Sequence, residues 1–348
     1  MEKCDQDAHH HAEGDVLTHT KLVCQSLLEL ADWQACDATT RALLLAAALL
    51  HDVAKPATTR VDETGQISSL KHTQVGASMA RQILWRNAEF ACPPFQVREQ
   101  IVGLVRYSGL PLWFLEKEDP IKSILRASQS VRLDWLSILA EADIRGRQCA
   151  DKQELLDRVS MFREFCREHQ CFDRLRVFPS NHSRFSYFRS ASLLPEREVF
   201  DDTKVSVVIM SGLPAAGKDT WIAQHLPELP VVSLDAIRKI IKVDPEDDQA
   251  PVIAAAREQA RSLLRTGREF VWNATNVSSS LRHSLISWMA PFKPNISIVY
   301  VEPASFEDLQ QRNKTRKNPV PESILDRLSQ RLEVPTLSEA HTVITHIS

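Results

Sequence analysis

The sequence feature that most constrains the fold is the segment 212–220, Gly-Leu-Pro-Ala-Ala-Gly-Lys-Asp-Thr, which contains a GxxxxGK pattern. It follows the β-branched run Val205–Met210 and precedes the helical stretch Trp221–His225, a strand–loop–helix setting that makes the pattern specific. Two glycines let backbone amides point inward, and the helix N-terminus adds a positive dipole. The segment therefore predicts a phosphate site for ATP or another nucleoside triphosphate, formed by Gly212, Pro214, Ala215, Ala216, Gly217, Lys218, Asp219 and Thr220.

The residue after Lys218 departs from the usual pattern. A Ser or Thr hydroxyl normally binds Mg²⁺ there, whereas this chain has Asp219 followed by Thr220. Either the carboxylate, acting through water, or the Thr220 hydroxyl can hold the ion. The sequence predicts Mg²⁺ at this site and leaves its ligand open.

The two halves of the chain differ in hydrophobic period. From Asp15 to Cys171 apolar residues recur at helical spacing, which predicts an all-α helical bundle. In the second half, short β-branched runs alternate with helical stretches, which predicts an α/β domain with a parallel sheet. The predicted organisation is a helical domain 1–172, a linker or interface segment 173–203 and an α/β domain 204–348. The predicted strands are Val205–Met210, Leu229–Leu234, Glu269–Asn273 and Ile296–Val301.

Two charged residues follow the second predicted strand. Asp235 comes directly after it, and Arg238 lies one helical turn later. Because ligands of open parallel sheets bind outside the carboxyl ends of the strands, both are expected to face the same crevice as Lys218. There an Asp can accept the proton of an attacking hydroxyl, and an Arg can bind an acceptor phosphate or carboxylate. The alternative is a helix-capping Asp beside a solvated Arg.

A basic run and an Asn-rich motif complete the second half. Arg312 and Arg316 are spaced to lie on one helical face, where they can close over ATP as a lid or form a solvated basic surface. Asn273 and Asn276, in the motif NATN, are expected at the same sheet edge as the phosphate loop, in a functional or a structural role.

These motifs together, with Val320-Pro321 after the arginines, resemble the kinase domain of the polynucleotide 5′-kinase family. The resemblance covers most of residues 204–348. It implies that Lys218 binds phosphates and that Asp235 is the general base for a 5′-hydroxyl. It also implies that Arg238 binds the acceptor's phosphate and that Arg312 and Arg316 are catalytic lid residues. Asn273 stands where many relatives have Asp.

The first half contains a set of possible metal ligands. His51 and Asp52 end an apolar helix, His19 lies in an earlier helix, and His72 and Asp143 lie in later ones. Imidazoles and carboxylates that converge from separate helices suit a transition-type divalent metal such as Mn, Fe, Co, Ni or Zn. Such a metal lowers the pKa of water and polarises phosphoryl oxygens, which predicts phosphoester hydrolysis.

The order His, His-Asp, His, Asp resembles the HD phosphohydrolase superfamily, particularly the branch attached to tRNA nucleotidyltransferases. The resemblance implies four primary metal ligands. Ser108 replaces a His expected in two-metal relatives, which favours a single metal. Arg145 and Arg147 are predicted either to bind a substrate phosphate or to stay solvated. The implied ligands are His19, His51, Asp52 and Asp143, with His72, Lys55 and His11 as further contacts to metal or phosphate.

The order of the two domains resembles the bacterial HD-domain polynucleotide kinases. A phosphoesterase and a kinase oppose each other on one position but complement each other on the two ends of a broken strand. The sequence therefore predicts single-stranded or broken RNA or DNA ends as substrates, and an RNA ligase acting downstream. Two alternatives stay open: a small-molecule kinase fused to an HD nucleotidase, and an RNA-binding ATPase with a non-catalytic HD domain.

Composition limits how the chain can contact a polyanion. The formal charge of −3 excludes a globally basic nucleic-acid binder. A local cluster between Arg174 and Arg189 interleaves arginines with Phe178, Phe185, Tyr187 and Phe188, which suits either base stacking or interface packing. A polar N-terminus and the lack of a long apolar run predict a cytoplasmic protein without a membrane segment.

Overall fold

The computed structural model describes residues 1–2, 4, 6, 12–64, 67–86, 93–244 and 247–348. It divides into two compact units, Met1–Val177 and Phe178–Ser348. The boundary falls inside the predicted linker 173–203, so that residues 178–203 belong to the second unit. Within the described ranges, no helix is long and apolar enough to span a bilayer.

The first unit is helical, as the apolar spacing predicts. Aspartates begin several helices: the side chain of Asp15 accepts a hydrogen bond from the amide of Thr18, and Asp37 does the same for Thr40. A small antiparallel pair, β1 (Arg60–Val61) and β2 (Ile67–Ser68), was not predicted. The helices are α1 (Val16–Glu29), α2 (Ala31–Gln34), α3 (Ala38–Leu50), α4 (Lys55–Thr58), α5 (His72–Arg86), α6 (Phe95–Tyr107), α7 (Leu110–Trp113), α8 (Pro120–Ser128), α9 (Leu133–Gly146) and α10 (Lys152–Glu168).

The second unit contains a five-stranded parallel sheet with the strand order β4-β5-β3-β6-β7. All four predicted strands are present. The fifth, β7, is an edge strand of Thr, His and partly exposed aliphatic residues, which is why no buried apolar run marked it. The strands are β3 (Val205–Ser211), β4 (Val231–Ser233), β5 (Phe270–Asn273), β6 (Pro294–Glu302) and β7 (Thr342–Ile347).

Helices connect these parallel strands, as crossover connections require. The strand that precedes the phosphate loop, β3, lies at the centre of the sheet between β5 and β6, and its Val207 and Ile209 are fully buried. The loop therefore starts at the end of a central, largely buried strand. The helices are α11 (Asn181–Arg189), α12 (Lys218–His225), α13 (Leu234–Ile241), α14 (Ala250–Arg265), α15 (Ser279–Met289), α16 (Phe306–Thr315) and α17 (Glu322–Gln330), with a short 3₁₀ turn at Ala290–Phe292.

The aromatic and arginine cluster lies in and near helix α11 of this second unit. Tyr187 and Phe188 are buried, and the ring of Phe185 stacks on His341. The guanidinium of Arg184 donates to the carbonyl oxygens of Leu337 and His341. These contacts fasten the helix to its own unit, so Tyr187, Phe188 and Arg184 are not available for the base stacking that the sequence suggested.

Candidate functional sites

The phosphate loop joins the central strand β3 to helix α12. Gly212 has φ +145° and Gly217 has φ +102°, both in the region that favours glycine. A Cβ added to Gly212 would overlap the carbonyl oxygen of Val301 on the neighbouring strand β6. Gly217 is the N-cap of α12, so the free amides of the first helical turn face the loop. The loop thus has the geometry that the predicted phosphate cradle requires.

Replacing Gly212 with Ala is expected to lower the free energy of unfolding by about 3 kcal/mol or more. A strained backbone conformation alone costs about 1–3 kcal/mol, and strands β3 and β6 must also separate. Chemical denaturation measures this loss. Gly267 is the matched control, because it also has positive φ but open space around its Cβ position. Gly267→Ala is expected to cost only about 1–2 kcal/mol, and an equal cost at both positions would contradict the tight loop.

Lys218 is the first residue of helix α12, and three other charges act on it. Burial, with a smaller contribution from Arg316, lowers the pKa of its amine to about 8, while Asp219 and Asp235 oppose the shift. The sequence predicted that residues from these separate segments share one crevice. Asp219, Asp235 and Arg316 all lie close enough to Lys218 to influence its pKa.

Nucleotide affinity is expected to fall as pH rises above about 8. The amine of Lys218 donates to the carbonyls of Gly212 and Leu213, and phosphates in the loop would favour its charged form. In the free protein the pKa of the Lys218 amine is about 8, and bound phosphates would raise it. The affinity for the nucleotide is therefore expected to drop by up to about tenfold per pH unit above that value.

Titration calorimetry with ATP between pH 7.5 and 9.5 measures this slope. Lys218→Arg is the matched variant, since a guanidinium keeps its charge throughout that range. A slope that is the same in Lys218→Arg and in the unmodified protein would contradict the assignment.

Asp235 lies in the first turn of helix α13, just past the carboxyl end of strand β4. Ser233 is the N-cap of this helix, so the alternative in which Asp235 caps it is wrong. The Asp235 side chain is 71% exposed, and one of its oxygens lies 2.5 Å from Nη1 of Arg238. Arg238 is held in turn by a hydrogen bond from Nε to Gln249. The pair thus presents an accessible carboxylate and a fixed cation.

The two predicted lid arginines differ from the expected arrangement. Arg312 lies in helix α16, near Gly217 of the phosphate loop, and donates to Ser348. Helix α16 ends at Thr315, so Arg316 has extended backbone and does not share a helical face with Arg312. The helix ends because the side chain of Asn313 bonds both backbone groups of Val320 and turns the chain back.

The two asparagines of the NATN motif have separate tasks. Asn276 is buried, and its Nδ2 donates to the carbonyl oxygen of Met210, which ties the loop after β5 to strand β3. Asn273 ends strand β5, and its Nδ2 donates to Oδ1 of Asp219 at 2.6 Å. Asn276 is therefore structural, whereas Asn273 contacts the phosphate-loop helix.

In the first unit, three buried side chains from separate helices form a cluster of possible metal ligands. His19 lies in α1, His51 is the C-cap of α3, and Asp143 lies in α9; one ligand atom of each lies within 4.8 Å of the others. Nε2 of His19 is 3.0 Å from Oδ1 of Asp143 and 3.8 Å from Oδ2 of Asp52. The structure brings together the four residues that the resemblance implied as ligands.

Close packing of two helices sets this geometry. A Cβ on Gly146 would lie 2.7 Å from the backbone nitrogen of Val23, so only glycine permits this approach of α9 to α1. Val23 lies one turn after His19, and Gly146 lies one turn after Asp143. The same contact therefore holds His19 and Asp143 within reach of each other.

The imidazole tautomers indicate whether a metal fits. Nδ1 of His51 lies 2.7 Å from the carbonyl oxygen of Ala48, so this nitrogen donates and Nε2 carries a lone pair. That Nε2 is buried without a hydrogen-bond partner among the described residues and faces Oδ2 of Asp52 at 3.3 Å. A lone pair facing a carboxylate is unfavourable unless a cation lies between them. The donor set of imidazoles and carboxylates fits a divalent transition metal.

His19 shows the same preference for a cation. Its Nδ1 lies 2.7 Å from Glu13, and its Nε2 faces Asp143. Burial alone would lower the His19 pKa, but the hydrogen bonds to Asp143 and Glu13 outweigh it and raise the pKa. A proton on His19 thus balances the carboxylates in the way that a metal would.

Two cations, the buried Lys55 and the partly buried Arg147, accompany the carboxylates. Nζ of Lys55 lies 2.8 Å from Asp52, and Nη2 of Arg147 lies 2.5 Å from Asp143. Burial opposes ionisation of both carboxyls, yet the positive charge of Lys55 holds the pKa of Asp52 well below the usual range, and Arg147 and His19 do the same for Asp143. Both carboxylates are therefore charged, as metal ligands must be.

The remaining predicted contacts lie at different distances from this cluster. Nε2 of His72 is 3.8 Å from Asp52, and its half-exposed ring lies at the edge of the cluster. His11 lies outside the described residues. The hydroxyl of Ser108 donates to the carbonyl of Val105. The exposed Arg145 pairs with Glu141, so Arg147 alone of this pair contacts the cluster.

The contact of the Glu13 carboxylate with Nδ1 of His19 was not predicted from the sequence. The pairing of Arg147 with Asp143 was not predicted either. The two residues are four positions apart at the end of a helix, a spacing that favours ion pairs and could have indicated this contact.

Comparisons with known proteins match the two units separately. Residues 16–126 match the family model described as an HD domain, and residues 207–335 match the one described as an AAA domain. A CC-adding tRNA nucleotidyltransferase from Thermus thermophilus is 34% identical over 113 residues, which are 29% of this chain and 25% of the relative. The chain thus spans about a quarter of that relative's length.

Two solved structures also resemble part of the chain. A candidate kinase from Chloroflexus aurantiacus has a TM-score of 0.36 and 18% identity, over 42% of this chain and 86% of its own. A gluconokinase from Sinorhizobium meliloti has a TM-score of 0.30 and 23% identity, over 42% and 83%. The chain therefore joins an N-terminal helical domain that matches the HD model to a C-terminal α/β domain that contains the phosphate loop and matches the AAA model.

Proposed function

We propose that this chain heals the ends of broken nucleic acid. Its P-loop domain transfers the γ-phosphate of ATP to a 5′-hydroxyl end of RNA or DNA, and its HD domain removes a 3′-phosphate or opens a 2′,3′-cyclic phosphate. The observation that carries the kinase assignment is the exposed carboxylate of Asp235, which Arg238 holds within the electrostatic reach of Lys218.

The residues of the P-loop domain have distinct tasks in this reaction. The amides of the loop and the amine of Lys218 bind the β- and γ-phosphates, and Mg²⁺ would neutralise part of the charge that develops on them. Asp235 accepts the proton of the attacking hydroxyl, and Arg238 both orients that carboxylate and binds the acceptor's phosphate. Arg312 and Arg316 supply positive charge to the phosphoryl group in transfer.

In the HD domain, His19, His51, Asp52 and Asp143 would hold one divalent metal, which would supply a water molecule of lowered pKa and polarise a phosphoryl oxygen. His72 lies at the half-exposed edge of the cluster, where it can contact a substrate phosphate.

The local charge of the cluster supports an anionic substrate. Three carboxylates, those of Glu13, Asp52 and Asp143, lie beside the two cations Lys55 and Arg147. With neutral imidazoles the cluster carries one net negative charge, and a divalent ion makes it positive. A phosphoester is therefore attracted when the metal is bound.

We propose in addition that both domains act on a polynucleotide and not on small molecules. A hydrolase and a kinase in one chain oppose each other on one phosphate position but cooperate on the two ends of a break. The partial likeness to a protein named for adding nucleotides to tRNA also favours RNA ends. A ligase would then seal the healed ends.

The experiment compares acceptors. With ATP and Mg²⁺, kcat/KM is measured for a single-stranded RNA with a 5′-hydroxyl and for free nucleosides and small polyols, at several salt concentrations. We expect the RNA to be the better acceptor and its affinity to fall steeply with salt, because only a polymer releases many counterions. A salt-independent preference for a small acceptor would instead identify a small-molecule kinase. ATP hydrolysis without transfer would identify a regulatory ATPase.

A further inference from the structure

The Asp219–Asn273 pair reverses the usual chemistry of a P-loop metal site. In P-loop enzymes a neutral Ser or Thr hydroxyl follows the lysine, and a carboxylate on a strand of the sheet completes the Mg²⁺ site. In this chain the carboxylate, Asp219, follows Lys218. The strand β5, which is the neighbour of the loop strand β3, ends instead in the neutral amide of Asn273.

The two side chains are in direct contact. Asn273 is the last residue of β5 and is 8% exposed, whereas Asp219 is an exposed residue in the first turn of α12. Nδ2 of Asn273 lies 2.6 Å from Oδ1 of Asp219. The amide must be the donor, because an ionised carboxylate only accepts. Among the residues that the structure describes, Oδ2 of Asp219 makes no hydrogen bond, so it is free to accept a further ligand.

Charge decides which of the two can hold the ion. Mg²⁺ prefers hard oxygen ligands and is usually bound through one or two carboxylates together with substrate phosphates. The exchanged pair still provides one carboxylate at this position, but from the helix and not from the strand. An amide lacks the charge to replace it, and its hydrogen bond fixes how the carboxylate points.

We propose that Asp219 is the anionic Mg²⁺ ligand of the nucleotide site, directly or through water, and that Asn273 is a positioning residue for it. The exchange keeps the charge of an ordinary P-loop site while moving it from strand to helix. The inference rests on the nucleotide-binding part of the proposed function and is independent of the acceptor. It also selects Asp219 over Thr220, whose exposed side chain lies on the same helical turn.

The test measures binding without any acceptor. Calorimetry gives the affinity for a non-hydrolysable ATP analogue with and without Mg²⁺, and electron paramagnetic resonance of Mn²⁺ in the complex reports on the metal itself. Mg²⁺ is expected to increase the affinity for the nucleotide in the unmodified protein. We expect this increase to be at least about tenfold smaller in Asp219→Asn. Metal-free nucleotide should bind Asp219→Asn as well as or better than the unmodified protein, because a negative charge near the phosphates is removed.

The companion variants separate metal binding from general damage. Asn273→Ala is expected to lose about 10- to 100-fold of the metal-dependent gain, as loss of an outer partner does. Glu258→Gln removes an exposed carboxylate on α14 and is expected to behave as the unmodified protein. Thermal unfolding of each variant checks that the unit still folds.

The decisive variant restores the ordinary arrangement. In Asp219→Ser combined with Asn273→Asp, hydroxyl and carboxylate occupy their usual positions, and we expect the metal-dependent gain and the Mn²⁺ signal to return. Asp219→Ser alone should lack both. No recovery in the double variant, or an undiminished gain in Asp219→Asn, would overturn the inference. A loss confined to Thr220→Ala would do so as well.

These outcomes are distinct from failure of the proposed kinase. If the unmodified protein binds no nucleotide, both the kinase assignment and the metal inference are overturned. If it binds Mg²⁺ and nucleotide, and the variants of Asp219 and Asn273 behave as expected, but it never phosphorylates RNA, only the proposed acceptor is wrong.

Discussion

Replacing Asp235 with Asn is expected to lower kcat for phosphorylation of a 5′-hydroxyl end by about 10²- to 10⁴-fold, the usual contribution of a general base. Asn has nearly the same shape but cannot accept the proton. The side chain is 71% exposed, and its ion pair with Arg238 is the main contact that is lost, so folding should be little affected. The affinity for ATP should change much less than kcat, because Lys218 and the loop amides remain.

Steady-state kinetics with RNA as the varied substrate, together with ATP binding, measures this separation. Asp244→Asn is the matched control, since Asp244 is an exposed carboxylate shortly after the same helix. An equal effect of both substitutions, or a loss of ATP affinity as large as the loss of kcat, would show that Asp235 is not the base.

The second large effect is expected in the HD domain. His51→Ala should weaken the binding of a divalent metal, and phosphoesterase activity should fall in parallel. Loss of a residue that only contacts a metal ligand costs about 10- to 100-fold in metal affinity, and we expect the loss in His51→Ala to be larger. The reason is the Nε2 of His51, which is buried, carries a lone pair and has no hydrogen-bond partner among the described residues. Removing it takes away a ligand without leaving a buried charge unpaired.

Asp52→Asn is less informative as a test. It leaves Lys55 buried beside a neutral side chain, and breaking a buried ion pair in this way costs about 3–5 kcal/mol. The domain then loses stability for a reason unrelated to the metal.

Metal content after dialysis and hydrolysis of a 2′,3′-cyclic phosphate end measure the effect of His51→Ala. His169→Ala, which removes an imidazole at the end of α10 in the same unit, is the control and should retain metal. Kinase activity should be unchanged, because the P-loop domain has its own core. Metal binding that survives in His51→Ala would contradict the site.

Local sequence signals predicted most of the P-loop domain. The loop, strand β3 and helix α12 are adjacent in sequence, and a glycine turn between an apolar run and a helix leaves few alternatives. Strand β7 and the end of helix α16 could not be predicted in this way. The first depends on pairing with Val299 and its neighbours in β6, and the second on the contact between Asn313 and Val320.

The HD cluster needed information that spacing does not contain. His19 and Asp143 are 124 residues apart, and their contact depends on the approach of α1 to α9 at Gly146. Long-range contacts of this kind follow from tertiary packing, not from periodicity. The resemblance to a known superfamily indicated the ligands, whereas the local contacts of Glu13 with His19 and of Arg147 with Asp143 were found only in the structure.

The proposed activity of the P-loop domain is the phosphorylation of 5′-hydroxyl ends of nucleic acid. The most direct measurement supplies γ-labelled ATP and a single-stranded RNA with a 5′-hydroxyl, then digests the product to locate the label. We expect label only on the 5′-terminal nucleotide, and no transfer by Lys218→Ala. Label that never reaches the RNA, or transfer by Lys218→Ala at the rate of the unmodified protein, would contradict it.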